Sequence, residues 1–115
     1  METKFYDNGI VEIIDDNVLI REIDDVFGLF FIDGCWRSAI IVRKENITDD
    51  FFDLSTGIAG EILQKFSNYN IRMAITGDWA NVNSKSLKAF IYESNKTKRI
   101  LFVKTVEEAL AIFTE

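Results

Sequence analysis

The sequence contains no histidine and no proline, and Cys35 is its single cysteine. Without histidine, the catalytic triads that use an imidazole and the usual zinc hydrolase sites are excluded. A single cysteine excludes an internal disulfide and suits a reducing compartment, where we expect this thiol to be a small buried hydrophobe. Because these absences remove several large classes of enzyme, we expect no metal site and no cofactor.

Long apolar runs and clustered basic residues are also missing. No segment approaches the length of a membrane span, and Met1 is not followed by a basic and then an apolar stretch, so we expect a cytoplasmic protein with no membrane partner. The formal net charge of −6 argues against a nucleic-acid partner. Most acidic residues precede Leu54, whereas most basic residues follow it. This asymmetry indicates solvated faces of different charge, and self-association through opposite patches is the alternative.

The apolar patterning indicates one α/β domain over residues 1–115, with a mixed, mostly parallel sheet. An Asn-Gly dipeptide between two apolar runs predicts an N-terminal antiparallel hairpin at one edge. Three strand-then-helix units follow, which favours parallel strands joined by helical crossovers. The predicted strands are 10–14, 38–42, 71–76 and 99–103, and the predicted helices begin near Ile23, Asp53, Ser84 and Thr105. The unbroken run at Ile40 predicts a central strand covered on both faces.

Helix boundaries are predicted from the residues that usually stop or start helices. Gly34 is predicted to stop the first helix, and Asn95 to close the helix that starts at Ser84. Thr105, with Glu108 three residues later, predicts a capping box at the last helix.

The segment from Asp53 to Asn68 is the strongest predicted helix, because its apolar residues recur every three or four positions. Asp53, Ser55 and Thr56 can cap its first turn. Gly57 and Gly60 do not match a phosphate-binding loop, and we expect them to allow close packing of the helix on the sheet.

Ligands and partners of open parallel sheets meet the loops at the carboxyl ends of the strands. That edge is predicted to gather Asp53, Ser55, Thr56, Asp78 and Trp79. Trp79 is either exposed for contact or folded back over the core.

Four stretches identify the chain as a member of an uncharacterised bacterial family, the domain of unknown function 4180. They are Lys44-Glu45-Asn46-Ile47-Thr48, residues 51–66, Ala74-Ile75-Thr76-Gly77-Asp78 and Phe90-Ile91-Tyr92-Glu93-Ser94-Asn95-Lys96. The resemblance implies no activity, substrate or cofactor.

The order of hairpin, strand and strand–helix pairs also resembles the STAS domains of anti-sigma-factor antagonists and sulphate transporters. In those domains an Asp-Ser-Ser-Gly-like turn carries a phosphorylated serine or threonine. The stretch from Asp53 to Gly57 is similar, with Leu54 as an additional residue. The resemblance implies Ser55 or Thr56 as phosphoacceptor, whereas helix capping is the alternative role of both hydroxyls.

Three hypotheses of function follow. The first is a non-enzymatic regulatory domain of STAS-like type that binds another protein through Asp53, Ser55, Thr56, Gly57, Asp78 and Trp79. The second is a small-molecule-binding or enzymatic domain with a polar pocket at the same edge. The third is a homo-oligomer. A deep polar pocket beside Asp53 and Asp78 would favour the second, and a flat apolar patch around Trp79 the first.

Overall fold

The computed structural model describes residues 1–114, which form seven strands and five helices. The strands are β1 (Glu2–Tyr6), β2 (Ile10–Ile14), β3 (Phe31–Ile32), β4 (Cys35–Trp36), β5 (Ala39–Arg43), β6 (Arg72–Thr76) and β7 (Ile100–Val103). The helices are α1 (Ile23–Phe30), α2 (Asp49–Phe52), α3 (Ile58–Tyr69), α4 (Lys85–Thr97) and α5 (Val106–Phe113). Short 3₁₀ turns cover Asp7–Gly9, Lys44–Asn46 and Leu54–Thr56.

The main sheet has five strands in the order β1-β2-β5-β6-β7. β1 and β2 are antiparallel, and the other three pairings are parallel. The predicted α/β class with a mixed, mostly parallel sheet is therefore confirmed. The hairpin is also as predicted, since Asn8 and Gly9 both have positive φ in the turn that joins its strands.

Both faces of the sheet are covered. α1 and α3 pack on one face with side chains from α4, and α5 packs on the other. In β5, Ile40 and Val42 belong to the first layer while Ile41 belongs to the second, and all three are at most 1% exposed. This alternation explains why the run is apolar without interruption. No helix among the described residues has the length and apolar character that crossing a membrane requires.

The predicted start of the long helix at Asp53 is wrong, because α3 begins at Ile58. Gly57 has φ +80°, a left-handed conformation that ends the preceding 3₁₀ turn and separates it from α3. The predicted packing role of Gly60 is wrong as well. A Cβ atom built on Gly60 or Gly57 would meet nothing within 4 Å, so neither glycine is required by close contact with the sheet.

Two predicted helix ends are also wrong. α1 ends at Phe30, and Gly34 instead lies at the tip of the small β3–β4 hairpin, where Asp33 and Gly34 both have positive φ. α4 continues past Asn95 to Thr97, and the residue that adopts the left-handed conformation is Lys98, which follows the helix. Asn95 is therefore free to use its side chain elsewhere, and it bonds to the backbone of β7.

The connection after β5, which the sequence indicates to be simply polar, contains a buried polar side chain. The Asn46 amide accepts a hydrogen bond from the Arg43 backbone and donates to the carbonyls of Asp15 and Asn17. Asn46 is 0% exposed. It thereby fastens the segment between β2 and α1 to the end of β5.

Candidate functional site

The predicted site at the carboxyl ends of the parallel strands contains a hydrogen-bonded cluster around Asp53. The Ser55 hydroxyl donates to Asp53 Oδ1 at 2.6 Å, and the Ser55 backbone N–H donates to the same oxygen at 3.1 Å. The Thr56 hydroxyl lies 2.7 Å from the Asp50 carbonyl oxygen and 2.9 Å from that of Asp53. These bonds close the 3₁₀ turn that precedes α3.

The electrostatics of this turn follow from its hydrogen bonds. The bond from the Ser55 hydroxyl, followed by the one from its backbone N–H, lowers the pKa of Asp53 below its ordinary value. Ser55 and Thr56 are both exposed residues, but their hydroxyls are engaged within the turn. Their role as phosphoacceptors stays a prediction.

Trp79 is folded back over the core, which is one of the two alternatives that the sequence left open. Its ring lies 5.0 Å from that of Phe102 and 5.8 Å from that of Phe52, measured between centroids. Its Nε1–H donates to the Val103 carbonyl at 3.0 Å, and the Lys44 ammonium lies 5.2 Å from its ring centre. Because Trp79 is half-buried and already has partners, it offers little free surface to a ligand.

The structure does not join the two predicted carboxylates. Asp78 is exposed and accepts a hydrogen bond from the Ala80 backbone in its own loop, as Asp53 does from Ser55 in its loop. The two loops meet instead through the rings of Phe52 and Trp79. Within residues 1–114, no three side chains of His, Cys, Asp or Glu are grouped so that they could hold a metal ion.

An open cleft of about 620 Å³ lies next to this cluster, at the end of β5. Its lining is polar and mixed in charge, and it consists of Val18, Arg21, Lys44, Glu45, Ile47, Thr48, Asp49 and Asp50. The cleft reaches Asp50, but neither Asp53 nor Asp78 lines it. It is the feature closest to the polar pocket that the second hypothesis requires.

A second candidate site lies at the opposite end of the sheet, beside the N-terminal ends of the parallel strands β5 and β6. We call it the aromatic patch and define it by Phe27, Phe31, Trp36 and Tyr69. Phe31, Trp36 and Tyr69 are 52%, 60% and 62% exposed. The half-buried Phe27 ring makes edge-to-face contacts with Trp36 at 6.4 Å and with Tyr69 at 5.4 Å.

The aromatic patch surrounds a cavity of about 340 Å³. Phe27, Trp36 and Tyr69 line it together with Arg37 and Ile71. Its position follows from the topology, since Ile71 immediately precedes β6 and Arg37 precedes β5 by two residues. The cavity thus has apolar walls and one cationic side chain.

The sequence did not predict this patch, because its residues come from α1, the β3–β4 hairpin and the end of α3. Phe31 and Tyr69 fit the apolar spacing of the neighbouring helices, a pattern that favours a buried position and hides their exposure. Cys35, expected to be buried, is exposed in the same hairpin. A signal was present in the pair Cys35-Trp36 after Asp33-Gly34, since a turn flanked by short β-prone segments predicts a hairpin.

The fold defines the chain as an α/β protein with a five-stranded main sheet, parallel crossovers and a small two-stranded hairpin. Residues 6–113 match the family described as Domain of unknown function (DUF4180), and the chain therefore belongs to that family. No curated protein and no solved structure matches the chain. The likeness to STAS domains consequently stays a prediction.

Proposed function

We propose that this chain is a non-enzymatic, regulatory domain of the bacterial cytoplasm that binds another protein through the aromatic patch. The observation that carries the proposal is the exposure of Trp36 and Tyr69 at a mostly apolar cavity, with the exposed ring of Phe31 packed beside Trp36. Exposed clusters of large apolar side chains are uncommon on monomers and mark interaction surfaces. Trp and Tyr are also the residues that most often dominate the binding energy of such surfaces.

The predicted surface at Asp53, Ser55, Thr56, Gly57, Asp78 and Trp79 supports protein binding less well. Trp79 packs on Phe52 and Phe102, and the polar groups of Asp53 and Ser55 bond to each other. A partner docking there would have to compete with bonds that already stabilise the loops. The aromatic patch requires no such rearrangement.

The experiment compares the proteins captured from the native host by three tagged forms of the chain. They are the wild type, the double variant Trp36→Ala and Tyr69→Ala, and the control Tyr92→Ala. Tyr92 is 62% exposed, the same as Tyr69, but it lies on α4. We expect a partner that the wild type and the control capture and the double variant does not, with the binary affinity then measured on purified proteins.

The proposal is wrong if all three forms capture the same proteins in the same amounts while circular dichroism shows that the double variant is folded.

A small-molecule-binding or enzymatic function is the second candidate, and the cleft of about 620 Å³ beside Lys44 and Asp50 is the observation that favours it. Its volume lies within the range of small-molecule sites. Changes in the backbone amide NMR chemical shifts on addition of pooled metabolites distinguish the two candidates. Shifts confined to residues 44–50 favour the cleft, whereas shifts around Trp36 and Ile71 favour the aromatic patch.

A further inference from the structure

Positive charge stands directly beside the aromatic patch. Arg37 lines the cavity, and its guanidinium stacks on the ring of Phe5 at 4.5 Å from the ring centre. Within the part of the chain that the structure describes, its buried Nε has no hydrogen-bond acceptor, and its Nη2 donates a long bond of 3.4 Å to the Ile32 carbonyl. Among residues 1–114, no carboxylate lies within 4.0 Å of this guanidinium.

Two further arginines line a second cleft of about 420 Å³ at the same end of the sheet. Arg37 and Ile71 line the first cleft, and the next residues along the chain, Ser38 and Arg72, line the second, where Arg72 contacts Phe113 of α5. Arg72 donates to the Phe113 carbonyl at 3.0 Å, and Arg99 donates to the Asn70 side-chain oxygen at 2.8 Å. Both acceptors are neutral, so neither positive charge is compensated by them.

Two of the cationic residues that line this cleft, Arg72 and Arg99, also act on each other. Partial burial, followed by repulsion from Arg99, lowers the pKa of Arg72. Like charges that are partly removed from water raise the free energy of the unliganded site, and the attraction of an anion placed between them offsets this cost. Three arginine side chains therefore line the clefts at this end of the sheet, although the chain as a whole carries −6.

The positive charges of Arg37, Arg72 and Arg99 also limit which kind of partner can bind this surface. A second copy docked symmetrically on the same surface would bring Arg37, Arg72 and Arg99 of both copies together, which is unfavourable. A neutral apolar partner would remove these guanidinium groups from water without pairing them. A partner with carboxylates beside an apolar side chain would pair with the arginines and would also fill the apolar cavity.

We infer that this edge docks an acidic segment of another protein, with one bulky apolar side chain in the cavity of the aromatic patch and flanking carboxylates on Arg37, Arg72 and Arg99. The inference rests on the proposed protein-binding function and specifies the chemistry of its partner. A buried apolar or aromatic anchor surrounded by a polar rim is the usual arrangement of such interfaces.

The test is a selection from a random displayed-peptide library on the purified wild-type chain, with counter-selection on the folded double variant Trp36→Ala and Tyr69→Ala. We expect enriched peptides to combine one aromatic or large aliphatic residue with several Asp or Glu residues. The affinity of a selected, chemically synthesised peptide should fall as salt is raised, because ionic contacts of exposed or half-buried groups are screened.

Matched charge variants then locate the contact. Arg37→Gln and Arg99→Gln should each weaken the selected peptide roughly three- to tenfold, as expected for loss of one charged hydrogen bond. Lys104→Gln removes the same charge at the opposite edge of the sheet, after β7, and should leave the affinity unchanged.

The outcomes that overturn the inference differ from those that overturn the proposed function. The acidic partner is refuted if the enriched peptides are neutral or basic, or if Arg37→Gln and Arg99→Gln leave the affinity unchanged. Either result leaves the proposed protein binding in place. Self-association that protects Trp36 from a fluorescence quencher assigns the surface to a second copy and also refutes it. If no peptide distinguishes wild type from the double variant and the capture comparison fails too, both are wrong.

Discussion

Asn95 and Phe102 are joined by two hydrogen bonds that fasten α4 to the outer strand β7. The Asn95 side chain donates from Nδ2 to the Phe102 carbonyl at 3.2 Å and accepts at Oδ1 from the Phe102 N–H at 2.8 Å. β7 has β6 on one side only, so these backbone groups would otherwise face outward unpaired. One amide side chain thus occupies the place of a neighbouring strand, which protects the edge from pairing with other chains.

Replacing Asn95 with Ala should therefore destabilise the protein by about 1–3 kcal/mol, because two backbone groups lose their partners. Urea unfolding followed by circular dichroism measures this difference. Asn68→Ala, an exposed position on α3, is the control and should change stability by less than about 0.5 kcal/mol. Equal effects from the two substitutions would show that the amide does not stabilise the edge.

Asn46→Ala should have a larger effect, about 2–5 kcal/mol, because it leaves the Arg43 N–H and the carbonyls of Asp15 and Asn17 without their bonds in a buried place. Asn46→Asp keeps the shape but loses both donated bonds and introduces a buried charge, so it should not restore stability. Thermal unfolding of the two variants tests this. Wild-type stability in Asn46→Asp would contradict the assigned donor bonds.

The two glycines near the start of α3 should respond in opposite directions. Gly60→Ala should stabilise by about 0.5–1 kcal/mol, because the site is open and alanine favours a helix. Gly57→Ala should destabilise by about 1–2 kcal/mol, since φ of +80° strains any residue with a Cβ. Chemical unfolding of both variants gives the signs, and stabilisation by Gly57→Ala would mean that α3 extends through this residue.

Asp53 should titrate below its ordinary pKa, and Ser55→Ala should raise that pKa towards 3.8 while the backbone bond keeps part of the shift. Because folding lowers the pKa of Asp53, its ionised carboxylate stabilises the folded state at pH values above its ordinary pKa. This contribution is lost as the pH falls through the folded-state pKa. NMR titration of the Asp53 side-chain carboxyl carbon measures this pKa in the wild type and in Ser55→Ala. Ser67→Ala, a surface hydroxyl change within α3, should leave the Asp53 pKa unchanged.

Periodicity predicted the main sheet well but predicted the start of α3 poorly. The apolar spacing continues from Ile62 back to Leu54, which is half-buried, so the pattern alone extends the helix to Asp53. The left-handed conformation of Gly57 interrupts it. A glycine at such a position is compatible with either backbone conformation, and the packing of α2 and the 3₁₀ turn decides between them.

The roles of the aromatic residues were the least predictable part of the site. Trp36, Tyr69 and Trp79 are all large aromatic residues, which favours burial of each. In the structure Trp79 packs on the core, whereas Trp36 and Tyr69 are exposed. Composition shows how much apolar surface a chain has, but it does not show which part the core will accept. Contacts between residues far apart in sequence decide that.

By itself the sequence determined the alternation of strands and helices and the central place of β5, because burial on one or both faces imposes a periodicity that can be read residue by residue. It also determined family membership. Only the tertiary structure decided that Asn46 is buried, that Asn95 closes an edge, and that the aromatic patch lies beside Arg37. Those features depend on which segments meet when the sheet forms, and no local pattern encodes that meeting.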